Sequence, residues 1–545
     1  MNYIDEEQNF YGRRDILDVF KRRVKDLKEG YRQNVALLGC KHVGKSAVLR
    51  NFVSNLDDDD ITSVYLDLEN KDFHYFIHMF IGGLLYSYSK SKNLQTYDEI
   101  KLLLENTKKY IPHTIQVIQK IFSDYHAKKT TEAFLGVLAL PEIYANETGK
   151  FCVLILDEFQ NLDNFLIPNC FQDLGKKIMT QKRCYYIVSS SYSDVAYKIL
   201  SEKLSLLFGN FEIININPFD FRDSSQFIVH NLRNCKIGIQ LRNFLADFAG
   251  GHPLYIHLIC RELMNLSAIH HQNEIYMPLL VQAIENTLFD RWGVISRHFD
   301  LVINDLCSGK GNQINSLILL SFANGKFKTD EIIEDIGVKK HQLQQKINRL
   351  IAQEIIVRNG SFFYFQDKLF RYWLKYVYQK RIKGVEFSPD KQRRQFKEEI
   401  NKSVEEFKMN TRKDFPSRIM ELLHCFENEQ IHLNGRKYRV PNFLEMEIIK
   451  WQNESGCGFD AIRAATVDNV WYIVMKKDNF CENDVNVVLG ELKKNGKRSE
   501  RCVIVSLSDL DENARIRALQ ERFWIWTEHE LNTLLTLSNK PYITR

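Results

Sequence analysis

What the 545-residue chain lacks narrows its class first. No apolar run reaches the roughly 18 residues that a membrane-spanning helix requires. Tyr75 to Tyr88 comes nearest and is too short and too broken. The opening residues, Met1-Asn2-Tyr3-Ile4-Asp5-Glu6-Glu7, are acidic and hold no apolar signal core. Eleven cysteines are scattered without a Cys-x2-Cys pair, which argues against a disulfide framework and against a zinc knot. Free buried thiols in a reducing cytoplasm are the expectation. No strong charge of either sign is present: the net +5 is only a faint lean towards acidic partners. The length predicts three to four domains, each able to bury a core.

What is present centres on Gly39-Cys40-Lys41-His42-Val43-Gly44-Lys45-Ser46. An apolar run, Val35 to Leu38, precedes it, and a helix-compatible run beginning at Ala47 follows. Strand, glycine-rich turn and helix in that order suit a phosphate-binding loop. Backbone N–H groups and the helix N-terminus wrap the phosphates, a lysine carries charge to the β- and γ-phosphates, and the serine hydroxyl completes an Mg2+ shell. Residues 39 to 47 are therefore the expected ATP contacts, with Lys45 also catalytic and Ser46 also a metal ligand.

A second run, FCVLILDE from Phe151 to Glu158, is apolar throughout and ends in two acids. That pattern fits a parallel strand buried on both faces and open at its carboxyl end. Asp157 is placed to hold Mg2+ and Glu158 to polarise the water that attacks the γ-phosphate. A third strand, Cys184 to Val188, runs into Ser189-Ser190-Ser191. A serine there either senses the γ-phosphate or caps the following helix. Further strands, Ile61–Leu68 and Phe211–Ile216, alternate with helices and give a doubly wound α/β order. The aromatic-rich stretch after Phe73 reads as helix core. Ala249-Gly250-Gly251-His252-Pro253 stops one helix and starts another, with His252 structural.

Between about 305 and 385, three helices and a hairpin turning at Asn359-Gly360 form a winged-helix pattern. Its third helix carries Lys339, Lys340, His341, Lys346 and Arg349, so it serves either a DNA groove or packing between domains. Phe370, Trp373 and Val377 share one helical face as core or docking surface. Glu386 to Arg394 reads as a polar linker within the basic segment 375 to 413. From about 395 the α/β order returns. A metal-dependent nuclease needs an Asp on one strand, and an acid and a lysine two apart on the next. Asp460 and Lys476 fill two of those positions, but Val474 stands where the second acid belongs. A degenerate, non-catalytic site is expected.

These residues resemble the archaeal-type ATPases of the STAND class, which are related to AAA+ and origin-recognition ATPases. The resemblance rests on Phe10-Tyr11-Gly12-Arg13, the loop 39–46, Leu156 to Leu162, Gly250 to Tyr255 and Asp367 to Trp373. It implies ATP binding, slow switch-like hydrolysis, and a sensor position at Ser189/Ser190, of which Ser190 is the candidate catalytic residue. Two departures stand out. Ile16 replaces a usual glutamate, and Asn210 stands where such ATPases commonly carry an arginine after the sensor strand. The C-terminal part looks like the restriction-endonuclease-like fold, without its central acid.

The expected architecture is thus a P-loop NTPase core over 1–220, a helical lid over 221–304, a winged helix with docking segment over 305–385, and a linker and nuclease-like domain over 386–545. Three functions remain open: a regulatory ATPase acting on a protein partner or a second copy of itself, an ATP-controlled DNA-binding effector, and a nucleotide-stabilised scaffold without turnover.

Overall fold

The computed structural model describes residues 10–204, 209, 211–233, 235–309, 311–383, 388–452, 458–476, 478–494, 501–508 and 510–543. Among them, no helix is long and apolar enough to cross a membrane. The chain divides into two compact units, Met1–Phe219 with His252–Leu254, and Asp220–Gly251 with Tyr255–Arg545.

The first unit is built on five parallel strands: β1 (Asn34–Leu38), β2 (Ile61–Asp67), β3 (Phe151–Asp157), β4 (Cys184–Ser190) and β5 (Phe211–Asn215). Their order across the sheet is β2-β3-β4-β1-β5. The strand with the two acids is therefore not beside the strand that leads into the glycine-rich loop. β4 lies between them, and its carboxyl end faces both.

Helix α1 (Arg14–Lys28) buries Ile16, Phe20, Val24 and Leu27 on one stripe against the sheet. Ile16, which replaces the glutamate of the resembling ATPases, is thereby part of the core. Helix α2 (Lys45–Ser54) follows the loop, and α3 (Phe73–Ser91), α4 (Ile100–Thr107), α5 (Pro112–His126) and α6 (Thr130–Thr148) fill the crossover from β2 to β3. Phe73, Phe76, Phe80, Tyr88, Phe134 and Tyr144 from these helices are buried in one cluster over the sheet. α7 (Cys170–Thr180) and α8 (Ser193–Lys198) flank β4.

In the second unit come α9 (Phe221–Leu232), the short paired strands β6 (Lys236–Ile237) and β7 (Glu274–Ile275), α10 (Ile239–Phe248), α11 (Pro253–Ile269), α12 (Met277–Ile284) and α13 (Val294–Cys307). The first residues of α11 belong to the first unit. Next are α14 (Ile314–Ala323), α15 (Thr329–Ile336), α16 (Lys340–Ala352) and the hairpin β8 (Ile356–Asn359) and β9 (Phe362–Phe365), then α17 (Lys368–Trp373) and α18 (Gln379–Lys383).

The expected linker is not one over its described part. Pro389 opens a 24-residue helix, α19 (Pro389–Arg412). Proline suits the first helical turn, where its missing N–H leaves no bond unmade. The stripe Phe396, Ile400, Val404 and Phe407 is buried. Arg393 and Lys397 reach the buried Glu285 carboxylate at 3.0 and 2.8 Å.

The remaining elements are α20 (Phe415–Leu423), the hairpin β10 (Glu429–Leu433) and β11 (Arg436–Val440), and a mixed sheet. Its strands β12 (Glu445–Gln452), β13 (Gly458–Ala465), β14 (Val470–Lys476), β15 (Arg501–Ser506) and β16 (Trp524–Trp526) run in sequence order. The first three form an antiparallel meander and the last three are parallel. α21 (Glu482–Lys494) and α22 (Glu512–Gln520) cover one face, while α20 and α23 (Glu528–Leu537) cover the other.

The two hairpins of this unit join edge to edge. Ser361 N–H donates to Gln430 O at 3.1 Å. The Asn359 amide donates to His432 O at 2.9 Å and accepts from His432 N–H at 2.6 Å.

Candidate phosphate-binding site

The loop from Gly39 to Gly44 is shaped by close approach and by left-handed backbone. A Cβ on Gly39 would lie 2.2 Å from Ile216 O, beside the end of β5, so only glycine fits. Gly44 has φ +99 immediately before α2, and His42 has φ 65 within the turn. Val43 is buried beneath the loop, whereas Ala47 is exposed in the first turn of α2. Ser46 shares that turn, and Cys40 and Lys41 line the rising arm. Lys41 lies 3.6 Å from Glu69 and over the Tyr192 ring. Burial opposes its charge, but Tyr192 and Glu69 outweigh burial and raise its pKa.

Lys45 is buried, and its ammonium donates to Gly39 O at 2.8 Å, Cys40 O at 3.0 Å and Ser191 Oγ at 2.8 Å. Glu158 Oε1 lies 3.9 Å from the same nitrogen. Glu158 itself has left-handed backbone, φ 54 and ψ 47, which turns its side chain back towards the loop. It accepts from Ser191 N–H at 2.9 Å, from Gln160 Nε2 at 2.8 Å and from the Ser191 hydroxyl.

Asp157 is almost fully buried at the end of β3. Tyr65 OH donates to its Oδ2 at 2.7 Å, and Ser189 Oγ donates to Oδ1. Burial and the Asp157 charge push the Tyr65 phenol up, which keeps it a donor. Asp67 stands beside Asp157 in register on β2. Burial raises the Asp67 carboxyl, opposed by its bond from Glu69 N–H and reinforced by the charges of Asp157 and Glu69.

Of the three serines at the end of β4, the expected catalytic Ser190 does not reach the acids. Ser190 turns away: its hydroxyl accepts from Tyr192 N–H at 3.0 Å and donates to Tyr192 O at 3.3 Å. Ser189 reaches one acid, and Ser191, one residue beyond the strand, reaches the other acid and Lys45. The side-chain alternation of β4 explains this, since successive residues point to opposite faces. A three-serine run conceals that parity in the sequence. A tyrosine within an apolar strand such as Tyr65 reads as core, so the sequence does not mark it as a partner of Asp157.

The opening motif and the turn after β5 form one structure. The Arg13 guanidinium bonds Asn217 O and sits 4.6 Å from the Phe219 ring centroid, and Tyr11 meets Phe219 edge-on. His252, which is buried, and the half-buried Pro253 belong to the same unit, and Pro253 Cγ lies 4.0 Å from where a Cβ on Gly44 would stand. Asn210 lies outside the described residues, as do Leu206, Leu207 and Phe208.

The other expected constellation is not assembled. Asp460 is in register with Met475 on β14, and Ala461 with Val474. Met475 belongs to one core face of the sheet, whereas Ala461 and Val474 belong to the other. Asp460 and Lys476 therefore project from opposite faces. Lys476 is bonded to Asp484 at 2.7 Å and lies over Phe459 and Phe480. Among the described residues no group of three His, Cys, Asp or Glu side chains forms a metal site.

The five-stranded parallel sheet and its strand-end loop, lysine and acids define a P-loop nucleotide-binding fold. Residues 22–258 match a family described as an ATPase domain predominantly from Archaea. An uncharacterized ATP-binding protein of Methanocaldococcus jannaschii is 22% identical over 244 residues, covering 42% of this chain and 63% of that protein. The chain thus spans less than two thirds of that relative. A Walker-type ATPase of Pyrococcus abyssi superposes with a TM-score of 0.49 and 14% identity, covering 67% of this chain and 96% of that one. The Aeropyrum pernix ORC2 protein, solved as ADPNP–ADP complexes, gives 0.42 and 11%, covering 69% and 96%.

Proposed function

We propose that this protein is a regulatory ATPase whose ATP site is completed by Glu158 and Ser191 and whose turnover is restrained by the bonds between them. The observation that supports it is the meeting of Lys45, at the start of α2, with Glu158 and Ser191, just past the ends of β3 and β4. Gly39 lets the loop pass tight against Ile216 O, where a Cβ would collide, and the left-handed turn at His42 and Gly44 suits a loop wrapped around phosphate. The buried Lys45 ammonium, held by Gly39 O, Cys40 O and Ser191 Oγ with the Glu158 carboxylate 3.9 Å away, can exchange these contacts for the β- and γ-phosphates. The hydroxyl of Ser46 and the carboxylate of Asp157 are oxygen donors suited to Mg2+. Bound there, the ion neutralises charge on the phosphate oxygens.

Tyr65 and Ser189 hold Asp157 in orientation. Glu158 orients water for attack on the γ-phosphorus and takes its proton as the bond to the ADP oxygen breaks. In the conformation described here that carboxylate is occupied by Ser191, Gln160 and Lys45. Activation then requires their exchange for water, which couples hydrolysis to any movement of β4.

In the second unit, the winged-helix-like module serves packing. Its hairpin edge is taken by Gln430 and His432. On its third helix Lys346 and Arg349 bond Asn312, and Lys340 lies 3.5 Å from Asp330. The C-terminal domain, nuclease-like in strand order, acts as a binding surface rather than a nuclease.

Replacing Glu158 by Gln is the test: ATP affinity should be kept while turnover falls at least about 100-fold, the scale of a lost general base. Absence of ATP binding by the full chain overturns the reading. DNA binding that weakens steeply with added salt would overturn the packing role.

A further inference from the structure

In the second unit, a cavity of about 40 Å3 is lined by Phe327, Tyr364, Lys368, Arg371, Lys540 and Tyr542, among others. A single water fills roughly 10–15 Å3 of such space, so it admits about three waters or one small oxyanion. Three cationic side chains converge on it, and only one has its charge matched. Lys368 donates to the buried Asp247 at 2.7 Å. Arg371 bonds the neutral Asn539 amide and lies over the Phe327 ring, and its buried Nε has no hydrogen-bond partner. Among the described residues no carboxylate pairs with Arg371 or Lys540.

A half-buried guanidinium whose Nε is out of reach of water and which faces no carboxylate is costly to hold, and a planar fork with an unused N–H suits an oxyanion. Burial lowers the Arg371 pKa, with Tyr372 and Tyr376 only partly offsetting it.

We propose that this cavity is a second anion site, distinct from the phosphate-binding loop, and that it takes a phosphate group through Arg371 and Lys540. Its walls come from four parts of the unit: the segment before α15, strand β9, helix α17, and the end of α23 with the C-terminal segment after it. A phosphate held there ties the C-terminal segment to α17, beside the existing Arg371–Asn539 bond and the Lys368 contact with the Tyr542 ring at 5.2 Å. Binding therefore stabilises that docking, in proportion to occupancy.

Calorimetric titration of the full chain tests this, with saturating ADP filling the loop site and ionic strength matched with chloride. One inorganic phosphate per chain should bind, and Lys540→Ala should weaken it about tenfold, the effect of one lost charge-assisted contact. Arg371→Lys, which keeps charge but loses the fork, should weaken it as well. If that variant does not fold, Lys540→Ala alone decides. A parallel titration with 5′-AMP separates the sources: tighter binding assigns the site to an organic phosphate, and equal binding to the free ion. No phosphate binding in the presence of ADP overturns the proposal, as does phosphate binding that matched chloride abolishes. Unchanged affinity in Lys540→Ala overturns it equally.

Discussion

Deleting one hydroxyl from each of two neighbouring serines distinguishes their roles. Ser191 Oγ bridges Lys45 and Glu158, whereas Ser190 Oγ exchanges bonds with the backbone of Tyr192. In Ser191→Ala, Lys45 keeps Gly39 O and Cys40 O, and Glu158 keeps the Ser191 N–H and Gln160. The fold should therefore lose only about 1 kcal/mol. If the hydroxyl passes to the γ-phosphate in the transition state, its bond to a charged group is worth about 1.5–3 kcal/mol. At 1.36 kcal/mol per factor of ten, kcat should fall about 10- to 100-fold with little change in KM. Ser190→Ala should stay within about twofold of the parent, because the bonds it loses lie within its own turn. Steady-state ATP hydrolysis over a range of ATP concentrations reads both. A crippled Ser190→Ala beside an unaffected Ser191→Ala refutes the assignment. A faster Ser191→Ala would mean that release of Glu158 outweighs loss of the phosphate contact, and would refute the transition-state role while keeping the restraint.

Other expectations follow from packing and charge. Gly39→Ala must displace Ile216 backbone, and nucleotide affinity measured with a fluorescent ATP analogue should fall by at least about tenfold, as overpacking costs about 1–3 kcal/mol. Gly360→Ala places a Cβ 1.8 Å from Gln430 O at φ +59, so the joined hairpins should part. Urea denaturation should then show a loss of about 2 kcal/mol or more. His78, on α3, has its pKa lowered from 6.5 by burial and by the nearby His74 and His126. The unfolded chain thus takes up the proton first, so stability is complete above about 6.5 and declines as pH falls. Thermal melts from pH 7.5 to 5.5 should show a smaller decline in His78→Gln than in the parent.

Much of the first unit is legible because each central strand is a continuous apolar run ending in polar residues, as in Phe151 to Glu158. Such runs identify parallel strands whatever their neighbours. Parity at strand ends is harder to read. Ser190 against Ser191, and Asp460 against Lys476, depend on which face each strand turns to its partner, and that is fixed by tertiary register. The apolar neighbours Phe459 and Ala461 did carry the signal that Asp460 faces the other way. The hairpin Glu429 to Val440 is faint in the sequence because its exposed residues are Gln, His, Arg and Lys, which give a weak alternating pattern. The start of the helix at Pro389 is hard to place, because a proline that breaks helices also begins them.

The Asn359 side chain meets both backbone groups of His432, as a strand residue would. A truncated protein ending before Glu429 would leave the β8–β9 edge with unmet donors and acceptors. Such an edge pairs with other chains. Dissecting the protein at that boundary should therefore yield a fragment prone to self-association, whereas cutting on the far side of Val440 leaves the seam closed.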